Sequence, residues 1–137
     1  MIEDAGRGLR VLIVDDEPHV RVYLRTMLRK LGVETTWEVD GGEAALELYQ
    51  RHCPDVVLLD VNMSYVPGTG VLRQLMTLDP YAAVIVITSD QSADTVREVG
   101  NLGAVGYVLK HLQPKEMLEI VADALARVEP RTRAVSG

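Results

Sequence analysis

The chain has 137 residues, 47% of them apolar and 25% charged, with a net charge of −6. That length suits one domain with a real hydrophobic core and would be cramped for two, and the composition is that of a globular rather than a disordered chain. The negative balance argues against a non-specific nucleic-acid surface and favours cations or basic partner surfaces.

No apolar run approaches the length of a membrane span, and Met1-Ile2-Glu3-Asp4 lacks the basic start and apolar core of a signal peptide. A single cysteine, Cys53, can form neither an internal disulfide nor a cysteine metal cluster. A cytoplasmic location is therefore expected, with Cys53 serving packing.

Residues 1–8, dominated by glycine and charge, are expected to form a flexible leader. Arg10-Val11-Leu12-Ile13-Val14 is a short apolar run ending at Asp15-Asp16, which predicts a strand buried on both faces with an acidic end. Pro18 suits the first turn of a helix, Val20, Tyr23, Leu24, Met27, Leu28 and Leu31 recur with helical spacing, and Gly32 is a stop. The β-branched stretch Val33 to Val39 predicts an edge strand on which Trp37 gives partial core cover. Asp40-Gly41-Gly42 marks a turn into a second helix carrying Ala44, Ala45, Leu48 and Tyr49, closed by Pro54.

Asp55-Val56-Val57-Leu58-Leu59-Asp60 has four consecutive large apolar residues and hence no wet face, which makes it a middle strand. A turn-rich loop leads to a third helix over Val71, Leu72, Leu75, Met76 and Leu78, ended by Asp79-Pro80. Ala82 to Ile87 is a further buried strand running into Thr88-Ser89-Asp90. A fourth helix through Val96, Val99 and Leu102 is expected to be short and broken by Gly100 and Gly103. Ala104 to Leu109 is a fifth strand ending at Lys110, and Pro114 opens a last helix with Met117, Leu118, Val121, Ala122 and Leu125 inward. Residues 129–137 are expected to be a tail or the start of a linker.

Five strands alternating with five helices predict an α/β fold, a doubly wound parallel sheet with helices on both faces. Ligands of such sheets bind beyond the carboxyl ends of the strands, where Asp15, Asp16, Asp60, Thr88 and Lys110 all fall. Any one of these residues has a bland explanation. Asp15-Asp16 alone could cap a helix, Thr88 could be a turn residue and Lys110 a solvated charge; the coincidence at one edge carries the functional reading. Clustered carboxylates repel unless a cation relieves them, and an oxygen-rich site without His or Cys suits Mg²⁺. Beside such an ion an aspartate can act as nucleophile toward a phosphoryl group, with Thr88 and Lys110 holding the phosphoryl oxygens.

The segments VLIVDDEP, DVVLLDVNM, VIVITSD and LGAVGYVLK together resemble the response-regulator receiver domains of two-component signalling, over residues 9–128. The resemblance implies a five-stranded, flavodoxin-like sheet in the order 2-1-3-4-5, with phosphorylation on Asp60. It implies a metal site of Asp15, Asp16, Asp60 and the backbone carbonyl of Asn62, and a switch in which Thr88 and Tyr107 turn toward the modified aspartate. Lys110 would contact the phosphate, while Asn62 and Asp90 flank the site and would set the phosphate lifetime.

Implied partners are a sensor histidine kinase or phosphotransfer protein upstream and an output domain or protein downstream. Neither nucleic acid nor membrane would be contacted directly by this domain, and homodimerisation through the switching face is compatible with the family. The function implied is a regulatory phosphoacceptor that assists its own phosphorylation and dephosphorylation, not an enzyme with a separate substrate.

Three departures stand out. His111 follows Lys110 where proline is usual, so no cis peptide is required there; Ser64 replaces a usual proline, with Pro67 displaced into the loop; and Gly100 lies in the fourth helix. The competing readings are an aspartate-nucleophile phosphatase, a flavin-binding module and a docking module that takes no phosphate. Asn62 stands where the phosphatase needs a second carboxylate, and the acidic loop Asp15-Asp16-Glu17 would repel a flavin phosphate.

Overall fold

The computed structural model describes residues 2–62 and 68–131. Five strands, β1 (Arg10–Val14), β2 (Thr35–Val39), β3 (Val56–Asp60), β4 (Val84–Thr88) and β5 (Gly106–Leu109), alternate with α1 (Pro18–Lys30), α2 (Gly42–His52), α3 (Gly68–Leu78), α4 (Ala93–Asn101) and α5 (Pro114–Ala126). All pairings are parallel and the order is β2-β1-β3-β4-β5. The topology expected from the sequence is the one observed.

The continuous apolar runs exist because the sheet is covered on both faces. Successive side chains of a strand point to opposite faces, so Val11, Ile13, Val56, Leu58, Ile85 and Ile87 join one core with Leu24, Leu28, Met117, Val121 and Leu125 of α1 and α5. The alternate residues Leu12, Val14, Val57, Leu59, Val84 and Val86 join a second core with Ala45, Leu72, Leu75 and Val99 of α2, α3 and α4. Each large aliphatic side chain so buried contributes about 1.5–3 kcal/mol, and together they make β3, buried at every position, the rigid centre of the domain.

Several expectations need correcting. The described part of the expected leader, residues 2–8, does not hang free: Ile2–Asp4 form a 3-10 turn and Gly6 N–H donates to the Leu31 carbonyl at 2.6 Å. β2 begins at Thr35 rather than Val33, because Val33 N–H closes α1 on the Leu28 carbonyl. β4 begins at Val84, since Ala82 N–H is held in a turn by the Asp79 carbonyl, and β5 begins at Gly106.

Gly100 does not break α4, which runs through it to Asn101; the chain turns only at Gly103, whose φ of 103° suits glycine. Cys53 is not a packing residue. It is exposed and caps α2 in a left-handed conformation, φ 45°, its N–H bound to the Tyr49 carbonyl at 2.9 Å. Trp37 is half-buried as expected, stacked on His52 at 5.0 Å with the Arg10 guanidinium 5.3 Å from its ring. No cis peptide occurs among the described residues. The loop departures at Ser64 and Pro67 lie outside those residues, as do positions 132–137 of the expected tail.

Candidate functional site at the carboxyl edge of the sheet

Strand pairing continues one residue past several strand ends and so fixes where the polar side chains start. Asp15 N–H donates to the Val39 carbonyl at 3.1 Å, and Lys110 N–H to the Thr88 carbonyl at 2.8 Å. Asp60 and Thr88 are themselves the last residues of β3 and β4. Asp15, Asp60 and Thr88 are buried to 1%, 1% and 0% exposure, although each is polar. Such burial demands partners.

Those partners are unevenly supplied. Asp15 Oδ1 accepts the Glu17 N–H at 2.9 Å, and Asp60 Oδ1 accepts the Asn62 N–H at 2.8 Å. The second oxygens, Asp15 Oδ2 and Asp60 Oδ2, have no partner but the Lys110 ammonium. Both lie 3.1 Å from Lys110 Nζ, which thus neutralises them as a point charge. Burial raises the Asp15 carboxyl above its ordinary value and the Asp60 charge adds to this, against the Glu17 amide and Lys110. Burial works against a charged Lys110, but hydrogen bonding and charge from Asp60, then Asp15, prevail and raise it.

Asp15, Asp16, Glu17 and Asp60 each offer a carboxylate oxygen, all within 4.8 Å of one another. Two buried carboxylate oxygens held only by the Lys110 ammonium, in an all-oxygen donor set, fit a hard divalent cation. Sequence reasoning places Glu17 only in an acidic loop and misses it as a site residue. Its carboxylate reaches Lys110 Nζ at 3.5 Å, and the signal that could have found it is its place directly after the acidic pair at the start of α1.

Of the other expected residues, Thr88 donates its hydroxyl to Asn62 Oδ1 and accepts the Asp90 N–H at 3.0 Å. Asp90 faces α4, where Oδ1 takes the Ser92 N–H at 2.8 Å and Oδ2 the Thr95 hydroxyl at 2.6 Å. The Thr95 bond is the main reason its carboxyl is lowered. Tyr107 is half-buried on β5 and donates its hydroxyl to the Asp90 carbonyl. Burial raises its phenol, and the Asp90 charge raises it further. Thr88, Asp90 and Tyr107 thus form one connected chain of hydrogen bonds leading away from Asn62.

A doubly wound parallel sheet with a carboxylate cluster, a buried hydroxyl and a lysine at its carboxyl edge places this chain among α/β domains whose chemistry sits beyond the carboxyl ends of the strands. Residues 11–122 match the model of the response regulator receiver domain, and the chain belongs to that family. It is 34% identical over 112 residues to the chemotaxis protein CheY of Thermotoga maritima, covering 82% of this chain and 93% of that protein. It is 32% identical over 124 residues to the transcriptional regulatory protein PdtaR of Mycobacterium tuberculosis, covering 90% of this chain and 60% of that protein. Among solved structures it is similar to a CheX-CheY-BeF3-Mg complex from Borrelia burgdorferi, with a TM-score of 0.78, 28% identity and coverage of 88% and 91% of the two chains. The domain is thus a receiver of two-component systems, and no helix among the described residues is long and apolar enough to cross a membrane.

Proposed function

We propose that this domain is a switch that accepts a phosphoryl group on Asp60. The observation that carries this reading is Asp60 Oδ2, buried, with no partner but the Lys110 ammonium, whose Nζ lies 3.1 Å away. An oxygen in that state is an available nucleophile with a cation at hand to take up charge.

The donor would be a phosphohistidine on a sensor kinase or phosphotransfer protein. An Asp60 oxygen attacks phosphorus, the P–N bond breaks, its electron pair leaves with the imidazole, and an acyl phosphate remains. Mg²⁺ held by Asp15, Asp16, Asp60 and the Asn62 carbonyl, with Glu17 beside them, would neutralise the phosphoryl oxygens. Lys110 follows the new charge from its place between Asp15 and Asp60, and the Thr88 hydroxyl turns to a phosphoryl oxygen.

Because Thr88 is tied through Asp90 to Tyr107, that turn frees the ring and alters the surface of α4, β5 and α5. An output domain or protein, or a second copy of the domain, would read this surface. Asn62 and Asp90 would set how long the acyl phosphate lasts. The role is regulatory, and the expected compartment is the cytoplasm. The Borrelia CheY, whose complex contains BeF3 and Mg, supports the same ligand pair here.

Incubation with acetyl phosphate and Mg²⁺ should add one phosphoryl mass to the native chain and none to Asp60→Asn. Absence of uptake by the native chain, or equal uptake by Asp60→Asn, overturns the proposal and leaves a docking module.

A further inference from the structure

The Thr88 hydroxyl has one proton, and in this structure it is given to Asn62 Oδ1. The same amide oxygen also accepts the Ser89 N–H at 3.1 Å and the Ser89 hydroxyl at 3.4 Å. A backbone N–H can only donate, so its contact requires that the oxygen of the Asn62 amide, not its NH₂, face β4. Three donors from two consecutive residues therefore converge on one side-chain oxygen. The pairing of Asp60 with Ile87 in the sheet brings residue 62 to the end of β4. Meanwhile the Thr88 oxygen accepts the Asp90 N–H. A hydroxyl engaged at both ends cannot also donate to a phosphoryl group on Asp60.

We propose that Asn62 is a positioning residue for the resting state: its side-chain oxygen latches the Thr88 hydroxyl and the Ser89 amide, so that phosphoryl binding at Asp60 must compete with it. This inference rests on reading Asp60 as the acceptor and adds to it. A flanking residue that sets phosphate lifetime acts after phosphorylation, whereas the latch acts before it, on the population of molecules whose Thr88 is free to turn. Apparent affinity for a ligand scales with that competent fraction. Releasing the latch should therefore tighten binding at Asp60 by roughly 2- to 10-fold, the factor that one net hydrogen bond represents.

Beryllium fluoride with Mg²⁺ is the suitable probe, because it does not turn over and so separates the latch from any effect on phosphate lifetime. Affinity is measured by titration of the full chain for the native protein, Asn62→Ala, Thr88→Ala and the double variant. Asn62→Ala keeps the backbone carbonyl and should bind roughly 2- to 10-fold more tightly than native. In the Thr88→Ala background the same substitution should have no effect, since the Thr88 hydroxyl that must turn to the phosphoryl group is gone. In the ligand-free state the Ser89 amide resonance should shift in Asn62→Ala.

Unchanged or weaker binding by Asn62→Ala overturns the latch, as does an equal gain with and without the Thr88 hydroxyl. Failure of the native chain to bind the probe at all overturns the acceptor reading instead, and the latch with it.

Discussion

β3 has an aspartate at each end, and the two differ in what surrounds them. Asp55, just before the strand, has both oxygens hydrogen-bonded: Oδ2 accepts the Arg10 N–H at 2.7 Å and Oδ1 the Arg131 N–H at 2.6 Å. Around it, the Arg131 guanidinium bridges Tyr49 Oη at 2.7 Å and Asp79 Oδ2 at 2.6 Å, and Tyr49 donates its own hydroxyl to Asp79 at 2.7 Å. Asp60, at the other end, is equally buried, but one of its oxygens has no partner except the Lys110 ammonium, which it shares with Asp15. Burial alone does not separate a structural carboxylate from a functional one. The completeness of its hydrogen bonding does, because a protein that satisfies both oxygens leaves nothing for a ligand to gain.

This contrast is open to direct test. The largest effect is expected at Asp55: Asp55→Ala strands two N–H donors at the base of the sheet and should cost about 3 kcal/mol in denaturant unfolding. Phosphoryl uptake by the molecules that remain folded should be unaffected. A loss of uptake within that folded fraction would show that the two ends of β3 are not independent.

Next is the cation. Mg²⁺ at about a hundred times its dissociation constant should stabilise the native chain by about 2.7 kcal/mol through mass action, and Asp16→Asn should remove most of that gain. A melting temperature insensitive to Mg²⁺ in the native protein would mean that the cluster at the carboxyl edge holds no divalent ion.

The smallest effects, about 1 kcal/mol, should have opposite pH dependence at the two edges. The Asp15 carboxyl is raised, chiefly by burial, so its folded state favours the protonated form. Its contribution to stability is fully present in acid, below the unfolded value, and is lost as pH rises through the raised pKa. Without metal, Asp15→Asn should therefore match native stability in acid and exceed it at neutral pH.

Asp79 is the reverse. Burial opposes its ionisation, but the Arg131 and Tyr49 hydrogen bonds outweigh this and lower it. Its contribution is present above the unfolded value and is lost as pH falls through the lowered pKa. Asp79→Asn should be less stable than native at neutral pH and approach it in acid. Unfolding curves with pH that ran parallel for the two variants would remove the distinction between the edges.

The base of the sheet is largely invisible in the sequence, and for a physical reason. Arg131 lies 76 residues from Asp55 and 82 from Tyr49, so no local pattern links them, and by composition Arg131 belongs to the tail. Cys53 misleads for a related reason: cysteine usually packs, yet the turn after α2 needs a left-handed residue at that position and places its side chain in solvent. Gly100 misleads because helix propensity is a weak prior; Val99 on the buried side of α4 supplies packing that an isolated helix would lack.

The carboxyl edge is much more legible. Asp15, Asp16, Asp60, Thr88 and Lys110 can be gathered from the sequence because each follows an apolar run, and parallel strands deliver their ends to a common edge. What the sequence by itself determined was the alternation of elements, hence the layered sheet, and the identity of the residues at its strand ends, because hydrophobic period and chain direction are local properties.

Only the tertiary structure decided how those residues share their hydrogen bonds. It brought Glu17 within reach of Lys110, gave the Thr88 proton to Asn62, and left Asp60 Oδ2 with only the shared Lys110 ammonium where Asp55 was fully satisfied. The reason is that a hydrogen bond depends on where two groups meet across strands and loops, and sequence distance says little about that.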